Sequence, residues 1–220
     1  MQSNNSKLKI FYLKNYNYKR IFEFQNACRE NLLKAQRKSY LLIVEHQNVI
    51  TFGKNKILSD LLVSKEYLNN NNIEIFESNR GGKVTAHGIG QLVFYPIINL
   101  KEHNLNIRDY VHKLENILIN TLKYFNIDAK RDDNMEGVFV YKNNILQKIG
   151  FIGVHVKKYH TMHGISVNIY NDILNLFNLM NPCGFNNLKV TSIEGQINKK
   201  ISYDLFIKYF INEFNNDFNF

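Results

Sequence analysis

Several residue types are scarce or missing in this chain of 220 residues, and each scarcity excludes some class of protein. With two cysteines, Cys28 and Cys183, the chain cannot build a disulfide framework, and this usage suits a reducing compartment. No apolar run approaches the roughly 18 residues that a membrane span needs, and no charged-then-apolar signal segment opens the chain. Hydrophobic residues still make up 45% and aromatic residues 13%, so the chain can bury a core and global disorder is excluded.

Tryptophan is absent, and the chain has only two prolines, 11 glycines and four alanines against 34 asparagines. This bias is typical of drift toward A/T-rich codons, so we interpret asparagine runs such as residues 69–72 as loops rather than functional motifs. The positions at which glycine and proline remain are therefore informative.

Positive charge exceeds negative charge, with 28 Lys and Arg against 19 Asp and Glu, a net charge of +9. Residues 1–40 alone hold nine basic and two acidic residues. A basic region of this kind attracts an acidic partner, which can be nucleic acid, anionic lipid or an acidic protein. A solvated Lys/Arg helix face explains the same charge, and the sequence leaves both interpretations open.

Apolar periodicity predicts the order of helices and strands along the chain. Helices are expected at 18–38, 61–68 and 107–125, the third capped by Asn106, and Ser202 is expected to cap a final helix. Strands are expected at 7–13, 40–44, 49–52, 73–78, 92–98, 138–141, 145–156 and 161–169. The Asn143-Asn144 pair predicts a tight hairpin turn.

Neither a linker nor an internal repeat interrupts this pattern. We therefore expect a loose N-terminus at residues 1–6 and a single catalytic domain over residues 7–220. Because helices and hairpins are interspersed, we expect an α/β (α+β) fold with a mixed, largely antiparallel sheet and packed helices.

Four of the 11 glycines fall in one run, residues 80–91, which reads RGGKVTAHGIGQ. Glycines let the backbone approach a ligand closely or adopt positive φ. Arg80 and Lys83 add cationic donors, and Thr85 and His87 add neutral ones, so this predicted loop can cradle an anion or a carbonyl oxygen. The spacing matches neither a Walker A loop nor the dinucleotide fingerprint, and a purely structural connection remains the other interpretation.

Cys183 lies in a second informative position, between Pro182 and Gly184. Proline restricts φ and glycine relaxes it, so the thiol is expected on a sharp turn that suits either a nucleophile or a buried structural cysteine. A nucleophilic cysteine needs a base or a nearby cation. The candidates are His87, His163, Lys83 and Lys148.

Lys148 is the unusual candidate because it lies in ILQKIGFIGVHV, residues 145–156, a predicted strand that is apolar on both faces. A lysine there either snorkels at the strand end or is functional. If it is desolvated, it becomes a usable base. His155, His160 and His163 have no cysteine or carboxylate at ligand spacing, so no metal site is expected.

Several ordered segments together resemble the octanoyl (lipoyl) transferase family, also called lipoate-protein ligase B. They are Glu45-His46, TFG (51–53), RGGKVTAHGIGQLVFYPIINL (80–100), KIGFIGV (148–154), His163-Gly164, and NPCG followed by VTS (190–192). The chain departs from the family pattern at Ile89, where the family usually has proline, and at Gln47-Asn48, where it has two prolines. These departures affect turn rigidity and leave the reacting groups in place.

The resemblance implies a fold shared with lipoate and biotin protein ligases, and transfer of an octanoyl group from octanoyl-acyl carrier protein to a lysine of a lipoyl domain. This is the first step of endogenous lipoate synthesis, and it implies an acyl-cysteine thioester. By position, Cys183 matches the family's nucleophile and Lys148 its lysine partner. The substrate-contacting segments match Arg80, Gly81, Gly82, Lys83, Val84, Thr85, Ala86, His87, Phe151, Ile152, Gly153, Gly164, Ile165 and Ser166.

The same resemblance implies no cofactor, neither ATP nor a metal. Its implied acceptors are lipoyl domains of 2-oxoacid dehydrogenase complexes or the glycine cleavage H protein, with no nucleic acid or membrane partner. The basic N-terminal region would dock the acidic carrier protein. The expected compartment is the bacterial cytoplasm, or the interior of a plastid or mitochondrion after removal of a presequence.

Two other functions remain compatible with the sequence. An ATP-dependent lipoate-protein ligase of the same superfamily would activate a free acid as an adenylate and would not need the Pro-Cys-Gly cysteine. A non-enzymatic, basic RNA- or scaffold-binding module fits the net charge and the 13 tyrosines and 16 phenylalanines, although no nucleic-acid motif is present.

Overall fold

The computed structural model describes residues 8–34, 38–182 and 188–220. Residues 1–6, which the sequence predicts to be loose, lie outside the described residues. The strands within the described ranges are β1 (Leu8–Tyr16), β2 (Ser39–His46), β3 (Val49–Phe52), β4 (Glu74–Glu77), β5 (Val84–His87), β6 (Gln91–Ile97), β7 (Ala129–Lys130), β8 (Val138–Lys142), β9 (Ile145–Lys157), β10 (His160–Asn168) and β11 (Lys189–Val190). The α-helices are α1 (Tyr18–Leu33), α2 (Lys65–Asn70), α3 (Ile107–Lys123), α4 (Leu174–Phe177), α5 (Ile193–Ile197) and α6 (Tyr203–Phe218).

These strands form a large and a small sheet. The large sheet has the order β1-β2-β6-β10-β9-β8-β7, and β11 also pairs with β9. Within the described ranges, β1 runs parallel to β2 and β11 parallel to β9, while the other neighbours are antiparallel. The small sheet has the order β4-β3-β5. The expected mixed, largely antiparallel sheet with packed helices is therefore confirmed.

Helices cover both faces of the large sheet, and the alternation of side chains in β2 shows how. Leu41 and Ile43 pack into the cluster that holds α3 and α6, whereas Leu42 and Val44 pack into the cluster beneath α1. All eight residues of β2 are buried, which explains why the strand reads as a continuous apolar run. Within the described part of the chain, no helix has the length and apolarity required to cross a bilayer.

Local signals that the sequence predicts are confirmed at two positions. The Asn106 side chain accepts from Asp109 N at 2.9 Å and caps α3. Asn143 and Asn144 have φ of 51° and 60° and turn β8 into β9, because asparagine tolerates the left-handed region.

Two helix boundaries and one strand differ most clearly from the expectations. Helix α1 ends at Leu33 rather than at residue 38, since Lys34 leaves the helical region with ψ of 23°. Helix α2 begins at Lys65 instead of residue 61, because the Ser64 side chain caps it by accepting from Tyr67 N at 3.1 Å. The glycine-rich run contains strand β5, which was expected to be loop; β5 exists because it pairs with β3.

Candidate active site

Lys148 is a buried cation in the middle of the molecule, 3% exposed on β9. Its Nζ donates to the backbone carbonyl of Glu136 at 2.6 Å. The same atom lies 5.2 and 5.1 Å from the ring centroids of Phe139 and Phe151. A carbonyl and aromatic faces are the contacts that compensate a desolvated ammonium. The alternative interpretation of this residue, that Lys148 snorkels to solvent at the strand end, is therefore wrong.

The chain returns to Lys148 directly after the segment that carries the candidate nucleophile. Strand β10 pairs with β9 as far as Val167 and Gly150, and β11 then pairs Val190 with Lys148. Thr191 N also donates to Lys148 O at 3.0 Å. Cys183 and Gly184 themselves lie outside the described residues.

A cavity of about 300 Å³ lies where the described chain approaches this segment from both sides. Pro182, which is buried, lines it from one side, and Leu188 and Val190 line it from the other. Phe177 lines it as well and stacks on Phe151 with ring centroids 4.6 Å apart. The cavity is therefore bordered by described residues on both sides of the segment, and Phe177 links it to β9, the strand that carries Lys148.

Two of the three predicted substrate-contacting segments are hydrogen-bonded neighbours. In the antiparallel register of β9 and β10, Phe151 lies opposite Ser166, Ile152 opposite Ile165, and Gly153 opposite Gly164. The sequence places these segments 10 residues apart without indicating how they pair. The register brings all six residues into one patch of the sheet, close along β9 to Lys148.

The third segment, the glycine-rich run, reaches the same strand. Gly81 N donates to Val154 O at 3.0 Å. A Cβ atom at Gly153 would lie 3.2 Å from both Arg80 Cδ and Gly81 O, so glycine there permits the close approach. Gly82 has a φ of 81°, which favours glycine at the turn. The structure therefore brings the three predicted segments together around β9.

Arg80 holds this loop in place. Its guanidinium is buried and donates to Thr51 O at 2.7 Å, to Lys83 O at 2.9 Å and to Gly81 O at 2.9 Å. It also donates to the Thr51 hydroxyl. These contacts fix the backbone of the loop relative to β3; whether Arg80 also contacts substrate stays a prediction.

The remaining predicted substrate-contacting residues of the run form β5, in which Val84, Thr85, Ala86 and His87 are all buried. Lys83, which precedes them, is half-buried. The hydroxyl oxygens of Thr85 and of Ser166 on β10 are buried and make no hydrogen bond within residues 8–34, 38–182 and 188–220. Buried polar atoms are nearly always satisfied in folded proteins, so these two hydroxyls are candidates to bind a polar group of the substrate.

The buried histidines His87 and His163 do not supply a cation beside a thiolate near pH 7. Burial lowers the pKa of His87 to about 4, with Arg80 lowering it further and a hydrogen bond to Gln91 acting the other way. Burial, and then the charge of Arg80, also lowers the pKa of His163 well below its usual range. His163 Nε2 donates to Asn79 Oδ1 at 2.7 Å. Both imidazoles are therefore neutral near pH 7, which leaves Lys148 as the buried cation among the candidates.

A hydrogen-bonded chain connects the glycine-rich run to the strand that follows Cys183. His87 Nδ1 donates to Gln91 Oε1 at 2.6 Å, and Gln91 Nε2 donates to Asn168 Oδ1 at 2.9 Å. Asn168 Nδ2 then donates to Thr191 O at 3.0 Å. Sequence reasoning did not single out Gln91 or Asn168; the available signal was a polar residue next to a strongly apolar strand.

No group of three or more His, Cys, Asp or Glu residues in the described ranges is arranged to hold a metal ion. His155, His160 and His163 lie on β9 and β10. The expectation that the reaction requires no metal and no ATP stays a prediction.

The sheet, the flanking helices and the loop fixed on β9 define a catalytic domain of the lipoate and biotin protein ligase fold. A bipartite lipoate protein ligase from Thermoplasma acidophilum superposes with a TM-score of 0.76 at 14% identity, over 96% of this chain and 83% of that chain. A biotin protein ligase from Aquifex aeolicus, in complex with biotin and ATP, superposes with a TM-score of 0.53 at 11% identity, over 96% and 70% of the chains. At these identities the likeness concerns the fold.

Sequence comparison identifies the family. The model of the lipoyl protein ligase A/B catalytic domain matches residues 17–215, and this chain belongs to that family. An octanoyltransferase from Desulforamulus reducens is 38% identical over 192 residues, covering 86% of this chain and 82% of the relative. An octanoyltransferase from Caldicellulosiruptor saccharolyticus is 36% identical over 220 residues, covering 97% and 92%. The resemblance inferred from the motifs is therefore confirmed.

Proposed function

We propose that this protein is an octanoyltransferase that moves an octanoyl group from octanoyl-acyl carrier protein to a specific lysine of a lipoyl domain. Octanoyl transfer is the activity for which its close relatives are named. The observation that carries the proposal is the placement of Lys148, a buried lysine on the strand that pairs with Val190, shortly after Cys183. The proposed catalytic groups are Cys183 as nucleophile and Lys148 as its proton-transfer partner.

In the first step, the Cys183 thiolate attacks the thioester carbonyl of the donor. A new bond forms between the carbonyl carbon and Cys183 sulfur, the bond to the carrier's sulfur breaks, and that sulfur leaves as a thiolate that takes up a proton. Lys148 either accepts the proton of the Cys183 thiol or stabilises the thiolate as an ammonium. Because one thioester replaces another, the step is nearly neutral in free energy and needs no ATP.

In the second step, the amine of the acceptor lysine attacks the acyl-cysteine. A carbon–nitrogen bond forms, the carbon–sulfur bond to Cys183 breaks, and one amine proton passes through Lys148 to the departing sulfur. Backbone N–H groups of the glycine-rich run or near Lys148 would hold the oxyanion in both steps. Conversion of a thioester to an amide is downhill and drives the transfer.

The acyl chain needs apolar contacts close to these groups. The cavity of about 300 Å³ beside Pro182 and Val190 is the candidate, since Phe177 and Met180 line part of it. Its lining also includes the polar side chains of Asn178, Asn181 and Lys189. Burial of each methylene contributes roughly 0.8 kcal/mol, so eight carbons supply several kcal/mol of binding free energy. This contribution would favour octanoyl over much shorter chains.

The partners follow from the same proposal. Acyl carrier proteins are acidic as a class, and Lys9, Lys14, Lys19 and Arg20 are exposed on β1 and α1. Attraction between these charges would dock the donor. The acceptor would be a lipoyl domain, and the compartment a reducing one, either the bacterial cytoplasm or an organelle interior, because Cys183 has to act as a thiol.

The test is intact-protein mass spectrometry after the protein is mixed with octanoyl-acyl carrier protein without ATP and quenched with acid. We expect the mass to rise by one octanoyl group, and the Cys183→Ala variant to show no adduct. Absence of an adduct on folded, reduced protein would rule out covalent catalysis by Cys183. Acyl transfer that appears only with ATP and free octanoate would instead identify an ATP-dependent ligase, and a protein unaffected by Cys183→Ala would fit a binding module.

A further inference from the structure

Glu115 is a buried carboxylate that sequence reasoning did not single out. It lies on α3 among Leu114, Ile117 and Leu118, which are fully buried, and is itself 3% exposed. Its Oε1 accepts from Gly137 N at 2.7 Å. A charged side chain this deep in an apolar helix face requires a specific partner, because burial of an unpaired charge is strongly unfavourable.

Glu115 binds the N–H of a peptide group, and the carbonyl oxygen of the same peptide group binds Lys148. The carbonyl oxygen of that group belongs to Glu136 and accepts from Lys148 Nζ at 2.6 Å, while its N–H belongs to Gly137. A single rigid peptide plane therefore lies between a carboxylate and an ammonium. Both hydrogen bonds are charge-assisted and run in the same direction along the peptide dipole, so each strengthens the other.

The backbone at this peptide depends on glycine. Gly137 has a φ of 119°. A Cβ atom there would lie 2.6 Å from Gly150 O and 2.7 Å from Lys148 Cε. The segment therefore packs directly against the lysine stem, and a rotation of the peptide plane would displace the ammonium that it holds.

We propose that Glu115 is a positioning residue that fixes the Glu136–Gly137 peptide and, through its carbonyl, the ammonium of Lys148. The proposal rests on the proposed role of Lys148 in acyl transfer. Within residues 8–34, 38–182 and 188–220, Glu115 makes no hydrogen bond or ion pair with Lys148 Nζ, so its effect passes through the peptide.

Other charged groups lie near the Glu115 carboxylate and affect its pKa. Burial raises the pKa of Glu115, whereas the Gly137 N–H, Arg131 and Lys148 lower it and Glu136 raises it. Glu115 itself lines a cavity of about 620 Å³, together with other titratable or charged side chains: Arg108, His112, Arg131, Asp132, Asp133 and Glu136. All variants are therefore compared at one pH, so that a change of pH does not contribute to the differences between them.

The test is the single-turnover rate at which octanoyl-acyl carrier protein acylates the protein, normalised to folded protein. Glu115→Ala should slow acylation about 10- to 100-fold, because small displacements of a catalytic group have effects of this size. Its apparent Kd for the carrier should stay unchanged. Glu115→Gln should recover most of the rate, since its amide oxygen can still accept from Gly137 N–H.

A double-mutant cycle distinguishes positioning from a general loss of packing. In a Lys148→Ala background, Glu115→Ala and Glu115→Gln should cause no further loss of rate, because the group that they position is gone. The matched control is Thr121→Ala, which removes a buried hydroxyl that donates to Ile117 O at 2.7 Å on the same helix. It should lower the unfolding midpoint without lowering the rate per folded molecule.

Equal slowing by Glu115→Ala with and without Lys148 would overturn the proposal, as would a rate for Glu115→Ala that matches that of Thr121→Ala. If Glu115→Ala does not fold, Glu115→Gln is compared with and without Lys148→Ala instead. We then expect Glu115→Gln to cause a small loss of rate when Lys148 is present and no loss when it is replaced. If the unsubstituted protein forms no acyl adduct at all, the proposed function fails first, and the positioning role fails with it.

Discussion

Arg80 and Thr51, 29 residues apart in the chain, are joined by hydrogen bonds at both oxygens of Thr51. The Arg80 guanidinium donates to Thr51 O at 2.7 Å and to Thr51 Oγ1 at 2.9 Å. The same group donates to Lys83 O. One side chain therefore attaches the glycine-rich run to β3 at several points, which a single ammonium cannot reproduce because it lacks the planar fork of a guanidinium.

We predict that Arg80→Lys destabilises the protein by about 2–4 kcal/mol, since buried carbonyls lose charge-assisted donors. Urea unfolding followed by circular dichroism measures this loss. Lys56→Ala is the control, because Lys56 forms a single exposed salt bridge with Glu77 at 2.7 Å, and such pairs contribute about 0–1 kcal/mol. Equal midpoints for the two variants would show that the Arg80 contacts do not hold the loop.

Gly137→Ala should both destabilise the fold and slow acylation. The positive φ of 119° and the approach of a Cβ to Gly150 O at 2.6 Å and Lys148 Cε at 2.7 Å force the backbone to shift. Strain of this kind costs on the order of 1–3 kcal/mol. Thermal unfolding and the single-turnover rate are the measurements.

The comparison variant is Gly195→Ala. The nearest atoms to a Cβ there belong to side chains rather than to the backbone, with Asn171 Oδ1 at 3.1 Å, and the helical backbone of α5 accepts alanine. Its stability should change far less than that of Gly137→Ala. A Gly137→Ala variant with unaltered stability and rate would contradict the described backbone.

Salt should weaken the encounter with the donor. Exposed charges are screened over about 8 Å at physiological ionic strength, so the KM for octanoyl-acyl carrier protein should rise several-fold as salt rises, with kcat little changed. The double variant Lys19→Glu/Arg20→Glu on α1 should raise KM at low salt and flatten this dependence. Lys123→Glu/Lys208→Glu, exposed on α3 and α6, is the charge-matched control, with an unchanged KM expected. A KM that is flat with salt would exclude docking by these charges.

Acid should destabilise the protein before its carboxylates titrate. Burial is the main cause that lowers the pKa of His87, to about 4, and it lowers the pKa values of His46 and His163 as well. Between an unfolded-state pKa of about 6.5 and the lowered folded-state values, the unfolded chain binds more protons. The stability contribution of these neutral histidines is therefore complete above about pH 6.5 and is lost as pH falls.

Replacement of one of these histidines should flatten that pH dependence. His87→Gln should reduce the slope of unfolding free energy against pH, between pH 6 and 5, by up to about 1.4 kcal/mol per pH unit. Tyr18→Phe is the control, because Tyr18 stacks on His87 with ring centroids 5.8 Å apart but carries no charge to titrate in this range. It should lower stability at each pH without changing the slope. An unchanged slope in His87→Gln would mean that His87 is not buried as a neutral group.

Periodic elements of this fold were predictable because their signals are local. The apolar faces of α3 and the apolar runs of β2 and β6 identify these elements without any tertiary information. Strand β5 was not predicted, since its four residues, VTAH, are too short a run inside a glycine-rich segment to indicate a strand; pairing with β3 makes them one. Pairing across distant segments leaves no periodic trace in a sequence.

The candidate site likewise has features that were predictable from the sequence and features that were not. Motif order alone proposed Lys148, the glycine-rich run and the segments at 151–153 and 164–166 as site residues. The family assignment confirms the resemblance on which these proposals depend, and the roles of the residues stay predictions. The contacts of these residues were not predictable. Arg80 was expected only as a donor to a ligand, whereas its hydrogen bonds to Thr51 and Lys83 hold the loop itself.

By itself, the sequence determined which chemical groups the protein has and in what order, and hence its family and its fold class, because these follow from local patterns and motif spacing. Tertiary structure alone decided which groups meet. Glu115 and Lys148 reach one peptide group from a helix and a strand, and Gly153 faces Gly164 through a strand register. Such contacts depend on how distant segments pack, and packing is set by the whole core rather than by any stretch of residues.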